Sequence, residues 1–226
     1  MIPDQKGGPV TWLLERYVAH KVRSAFRGMW ARGALPSSEG GLLVYLNHSS
    51  FWDGFIVHQL AQVAGWNGFA MMEEAQLARY RFHTRIGAFS VKRGDPASAL
   101  TTLRHARSVL RRPGAALIVF PEGVLLPGGG PLGPFARGVE VLARAAKVRC
   151  LPVAVRYAFL EHEFPDVLLD VGAPHPPAPT AELEARIKEG VERLATVRDT
   201  RDLTRLLRGR SSVQERWDAV RAKSTR

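Results

Sequence analysis

The chain switches repeatedly between short uninterrupted apolar runs and longer amphipathic segments, and this alternation restricts its fold more than any other feature. Leu42-Leu43-Val44-Tyr45-Leu46 and residues 115–120 contain no charged position, the pattern of strands buried on both faces. Weaker strands are predicted at 68–72, 150–157 and 167–171. Between them lie segments with helical periodicity: 55–63, closed by Gly65; a basic stretch over 74–84; 96–112, closed by Pro113-Gly114; and 135–146. Strands joined through helices cannot be hairpins. The expected fold is therefore α/β, with a central, mostly parallel sheet flanked by helices on both faces.

The two ends differ from this middle. Residues 10–30 carry Val10, Leu13, Leu14, Tyr17, Val18, Val22, Ala25, Phe26 and Met29 at helical spacing, interleaved with Arg16, Lys21, Arg23 and Arg27. That is a basic amphipathic helix. With Trp12 and Trp30 near its ends, the pattern suits a helix at a headgroup boundary or one packed on the domain. Pro174-His175-Pro176-Pro177-Ala178-Pro179 breaks the chain before charged helices from Thr180 onward. The expected organisation is an amphipathic helical arm (1–35), one α/β domain (36–173), and a Pro-rich linker with a charged helical extension (174–226). No fixed-period repeat runs through the chain.

Charge narrows the function. Across 226 residues, 32 Lys+Arg against 21 Asp+Glu leave +11. The excess is local: residues 73–112 hold nine basic and three acidic groups. Such a field attracts phosphate, nucleic acid or anionic lipid headgroups. The single Cys150 excludes an internal disulfide framework and a thiolate-rich metal site, and it fits a reducing compartment. No apolar run approaches the roughly 20 residues that span a bilayer, and the N-terminus lacks the layout of a secretory signal. The histidines show no metal-ligand spacing, and there is neither a Gly-x-Ser-x-Gly elbow nor a Walker-type loop.

Three constellations remain. Asn47-His48-Ser49-Ser50-Phe51-Trp52-Asp53 follows a predicted strand and precedes a predicted helix. On a continuous helix His48 and Asp53 would lie about 140° apart, so they can meet only across a turn. Asp53 would then fix the imidazole tautomer and free the other ring nitrogen as a base. The same residues also fit a capped helix start, with Asn47 or Ser49 as the cap and His48 on the surface. In Phe120-Pro121-Glu122-Gly123, proline ends a strand and glycine permits a tight turn that holds Glu122 at the sheet edge. In Gly87-Ala88-Phe89-Ser90-Val91-Lys92-Arg93-Gly94, adjacent cations could clamp an anion or form a solvated turn.

Taken in order, these segments resemble the glycerolipid acyltransferase family, the lysophosphatidic acid acyltransferase-like enzymes. Asn47-His48 through Asp53 matches the first block, Gly87 through Arg93 the second, Phe120-Pro121-Glu122-Gly123 the third, and Leu151-Pro152-Val153-Ala154-Val155 the fourth. The resemblance spans roughly residues 40–160 and implies the α/β fold of that family. It implies an O-acyltransferase that moves a fatty acyl group from acyl-CoA or acyl-carrier protein to a lysophospholipid-like acceptor, lysophosphatidate by default. His48 would be the general base and Asp53 its orienter. Arg93, Glu122 and Gly123 would bind the acceptor, with Asn47, Lys92 and Arg137 in support.

No metal and no cofactor beyond the acyl-carrying co-substrate is implied. The expected partners are an anionic membrane surface, the acyl donor and the lysolipid, without nucleic acid. The expected location is cytoplasmic, peripheral to the inner face of the cell membrane. One departure stands out. The family's third block usually continues Thr-Arg-Ser, whereas this chain reads Val124-Leu125-Leu126-Pro127. A phosphate-facing cation is missing there, which leaves two alternatives: a non-phosphate glycolipid or other lipid alcohol as acceptor, or a non-catalytic lipid- or nucleic-acid-binding module.

Overall fold

The computed structural model describes residues 1–92, 94–127 and 132–224. Within them, eight strands form one sheet: β1 (Gly28–Arg32), β2 (Leu42–Leu46), β3 (Asn67–Glu73), β4 (Ala88–Val91), β5 (Ala115–Val119), β6 (Arg149–Ala158), β7 (Asp166–Val171) and β8 (Thr204–Arg208). Their spatial order is β4-β3-β5-β2-β6-β7-β1-β8. The two most apolar runs, β2 and β5, are buried along their whole length and pair in parallel near the centre. All pairings are parallel except β6 with β7 and β1 with β8. The mostly parallel α/β sheet expected from the sequence is the fold observed.

Alternate residues of each strand serve opposite layers. Leu42, Val44 and Leu46 meet α1 (Gly8–Ala25) through Val18 and Val22, and α2 (Asp53–Val63) through Ile56 and Leu60. Leu43 and Tyr45 face the other layer. There they meet Val109 and Leu110 of α4 (Pro96–Leu110), Leu142 of α5 (Gly138–Ala146), and Leu183 and Ile187 of α6 (Thr180–Ala195). The α4 helix starts where chemistry dictates, with Asp95 accepting from the Ser98 N–H at 3.0 Å and proline in the first turn.

The ends depart from the sequence reading. The helix expected over 10–30 stops at Ala25, and Gly28–Arg32 becomes β1, wedged between β7 and β8. Gly28 weakens the helix, and Met29 and Trp30 are buried as strand residues. The basic stretch over 74–84 divides into α3 (Glu74–Arg79) and a 3-10 turn, Arg81–Ile86. Residues 204–208, expected within charged helices, form the edge strand β8 ahead of α7 (Val213–Ser224). The segments 1–35 and 174–226 therefore each contribute a strand to the sheet.

Candidate active site

The carboxyl ends of β2, β5 and β6 share one edge of the sheet, with Tyr45 opposite Val119 and Leu46 opposite Val153. This register alone brings the first and third sequence blocks side by side. Just past β2, Asn47 replaces the strand ladder with its side chain. Its Nδ2 donates to the Val155 carbonyl at 3.0 Å and its Oδ1 accepts from the Val155 N–H at 2.8 Å. The main chain is thus released from the sheet and turns through residues 48–52 into α2.

That turn folds around one carboxylate. Asp53, fully buried at the start of α2, accepts on Oδ2 from His48 Nδ1 at 2.8 Å and from the N–H groups of Ser49 and Ser50 at 2.8 and 2.9 Å. No side chain caps α2 at Trp52, so the capped-start alternative does not describe the segment. A carboxylate only accepts, which puts the imidazole hydrogen on Nδ1 and leaves the Nε2 lone pair free. Phe120 stacks on the His48 ring at 4.4 Å and 24°, fixing its plane. His48 remains 25% exposed, enough for a substrate to reach Nε2.

Glu122 faces the backbone of this turn. Its Oε2 accepts from the His48 N–H and its Oε1 from the Gly133 N–H at 3.0 Å. Burial pushes its pKa above the ordinary carboxylate value, while the Gly133 and His48 N–H groups pull the other way. Gly123 occupies the left-handed region at φ 66° and donates to the Phe120 carbonyl at 3.0 Å, closing a turn that a side chain would strain. The Leu126 N–H then donates to the His48 carbonyl at 2.9 Å. The departing segment Val124-Leu125-Leu126 consequently lies against the His48 turn, with Val124 and Leu125 exposed.

The remaining candidates are more distant. Lys92, at the end of β4, is exposed and sits 3.5 Å from Asp95. Two strands separate β4 from β2, which corresponds to ~14 Å across the sheet. Arg93 lies outside the described residues, as does the glycine turn 128–130. Arg137 precedes α5, one residue after Ala136, whose N–H donates to the Pro121 carbonyl at 2.9 Å. Among the described residues, no cluster of His, Cys, Asp or Glu is suited to hold a metal ion.

Sequence reasoning missed Tyr157, whose hydroxyl donates to Asp53 Oδ1 at 2.6 Å. Its signal was its position at the end of a strand, the same placement that singled out His48 and Glu122. The assembled site offers an oriented imidazole, a buried carboxylate behind it and an apolar turn in front: machinery for taking a proton from a hydroxyl.

The family model described as Acyltransferase matches residues 27–156, more than half of the chain. No curated relative matches significantly. The fold is similar to the crystal structure of the 1-acyl-sn-glycerophosphate (LPA) acyltransferase PlsC from Thermotoga maritima. That likeness has a TM-score of 0.59 at 20% identity and covers 83% of this chain and 81% of that one. With the family's region running from β1 into β6 and enclosing His48, Asp53 and Glu122, the chain belongs to the acyltransferase family and is an acyl-transferring enzyme.

Proposed function

We propose that the enzyme transfers a fatty acyl group from a thioester donor, acyl-CoA or acyl-carrier protein, to the hydroxyl of a lysophospholipid-like acceptor, with lysophosphatidate as the default. The observation that carries this reading is the His48 Nδ1 to Asp53 contact of 2.8 Å, with Nε2 unpartnered among the described residues. The acceptor hydroxyl gives its proton to Nε2 as its oxygen bonds to the thioester carbonyl carbon. Collapse of the tetrahedral intermediate breaks the carbon–sulfur bond, and Nε2 returns the proton to the departing sulfur. The products are an ester and a free thiol, and the base is regenerated. Asp53 stabilises the imidazolium between these steps.

Glu122 and Gly123 shape the acceptor side by fixing the turn in front of His48, and Arg93 supplies a cation for a headgroup, with Arg137, next to Ala136 on the Pro121 turn, in support. The LPA acyltransferase activity named for the Thermotoga protein supports the default acceptor. The apolar Val124 and Leu125 beside the His48 turn favour a second acceptor class, a lipid alcohol without a phosphate.

The acceptor and the acyl chain are lipids, which supports a peripheral site of action on an anionic membrane at its cytoplasmic face. Among the described residues no helix is long and apolar enough to cross a membrane. The α1 helix exposes Val10, Trp12, Leu13 and Tyr17, and Arg16 stacks on Trp12, a composition suited to headgroup contact.

Acceptor-dependent thiol release is the test. His48→Ala is expected to lower it by about 10²–10⁴-fold in a protein with an unchanged melt. Near-normal turnover of the folded variant would remove His48 from the mechanism.

A further inference from the structure

Asp53 has no exposure to water, so each of its acceptor positions must be filled from within the protein. Oδ2 is occupied by His48 Nδ1 and the N–H groups of Ser49 and Ser50. Oδ1 accepts from the Tyr157 hydroxyl, which comes from a different element, β6, 104 residues away in sequence. We infer that Tyr157 is a positioning residue of the transfer reaction: its hydroxyl orients the Asp53 carboxylate and shares its charge, thereby setting how strongly His48 holds a proton. The inference rests on the reading of His48 as the base.

Geometry supports an active role beyond packing. β6 runs ten residues against five in β2, so its last turn of pleat overhangs the end of β2 and reaches α2. There the Tyr157 ring is held by Phe26, centroids 5.6 Å apart, while Phe26 also meets Trp52 edge-on at 5.1 Å. Trp52 directly precedes Asp53. The donor and the carboxylate are thus locked to the same aromatic wedge. A 2.6 Å O–H···O⁻ contact belongs to the strong, charge-assisted class. Burial, and then the neighbouring Asp53 charge, push the phenol well above its ordinary range, so it stays a donor at every pH at which the enzyme would work. Among the described residues, the titratable groups facing the His48–Asp53 pair are Tyr157 from β6 and Glu122 from the turn after β5.

Removing the hydroxyl concentrates charge on the carboxylate. Asp53 then pulls harder on the Nδ1 hydrogen, and the imidazolium becomes easier to form and harder to discharge. For Tyr157→Phe, which keeps the ring against Phe26, the acid limb of the kcat/KM pH profile is expected to move up by ~0.5–1 unit. Turnover should fall about tenfold with KM for donor and acceptor little changed. A ring that merely fills space would leave the profile in place.

The experiment measures acceptor-dependent thiol release against pH, with lysophosphatidate and an uncharged lysolipid, for wild type, Tyr157→Phe and His48→Ala. The 15N shifts of the His48 ring are titrated in parallel in wild type and Tyr157→Phe. An upward shift in both readouts supports the inference. An unchanged profile in a folded Tyr157→Phe protein, with His48→Ala inactive, overturns it and leaves the proposed function standing. Turnover by His48→Ala overturns both. If Tyr157→Phe does not fold, 3-fluorotyrosine at position 157 supplies the opposite arm. A stronger donor must move the acid limb down, and no movement overturns the inference.

Discussion

At the scale of single residues, the site depends on what neighbours each side chain rather than on its identity alone. Leu125 flanks a turn pinned to the His48 carbonyl through the Leu126 N–H. Leu125→Arg would restore a cation beside the acceptor, contributing a charge-assisted hydrogen bond to a phosphate of about 1.5–3 kcal/mol. The ratio of kcat/KM for lysophosphatidate over an uncharged lysolipid should rise about tenfold or more on the same variant. An unchanged ratio would mean that another cation, such as Arg137, already serves the phosphate. His58 makes a prediction about stability. It is buried in α2, its Nε2 has no partner among the described residues, and burial, with Lys6 adding repulsion, lowers its pKa to about 4. Below the unfolded value of 6.5 the unfolded chain takes up a proton that the folded one refuses, so stability is lost as pH falls from 6.5 towards 4. The loss from this group at pH 5 is about 2 kcal/mol. Urea denaturation at pH 7 and pH 5 should show His58→Leu with a smaller difference between the two than wild type. His48 and Asp53 were legible as a pair through the ordered blocks of the family resemblance, since the residues alone fitted a capped helix start as well as a turn. Tyr157 was not, since nothing local ties a strand-end tyrosine to a carboxylate on another element.

At the scale of elements, the runs that read clearly were those buried on both faces. The strands that escaped were β1, β4 and β8, and two of these are the sheet edges. Edge strands are short and carry polar residues: β4 is Ala-Phe-Ser-Val, and β8 is Thr-Arg-Leu-Leu-Arg. β1 was hidden because Phe26 and Met29 continue the helical spacing of α1. The α1 helix itself answers the alternatives left open by its pattern in a divided way. Val18 and Val22 are buried, whereas Leu13 and Tyr17 are more than half exposed. Beside it, the 3-10 turn is joined to α1 by the Thr11 hydroxyl donating to the Arg85 carbonyl at 2.6 Å, and it exposes Phe82. The arginines of α4 belong to the layer on the other side of the sheet, so the basic stretch 73–112 does not form one surface. Leu13→Glu combined with Tyr17→Glu should weaken binding to anionic vesicles at least tenfold without changing the melt. Equal binding by this pair and wild type would move the membrane contact elsewhere. Deleting residues 1–30 is the wrong test, because it removes Phe26 from Trp52 and Tyr157.

At the scale of the whole molecule, the sheet's outer half is joined by residues far apart in sequence. Arg27 makes a buried ion pair with Asp166 at 2.9 Å, and Trp30 Nε1 donates to the same carboxylate at 2.7 Å. Arg27 also reaches Glu215 of α7 at 3.1 Å. Arg27→Ala would strand Asp166 with its charge at zero exposure, costing about 3–5 kcal/mol. Chemical denaturation should report that loss, and a change below 1 kcal/mol would indicate that water reaches Asp166. The main chain is tied as closely: Gly209 donates to the Arg27 carbonyl and Arg210 to that of Phe26, both at 2.9 Å. β1 therefore pairs on one side with β7, about 140 positions later, and on the other with β8, later still. During synthesis, domains fold from the N-terminus as the chain emerges, but β1 has no partner until β7 appears and stays an open edge until β8 does. Phe26, which wedges Trp52 and Tyr157 around Asp53, is held by that last pairing. The turn that joins His48 to Asp53, encoded in the first quarter of the message, thus has its full surroundings only when the ribosome has delivered β8. A nascent chain arrested before residue 204 would carry His48, Asp53 and Tyr157, yet its Phe26 carbonyl would lack the Arg210 N–H that holds it.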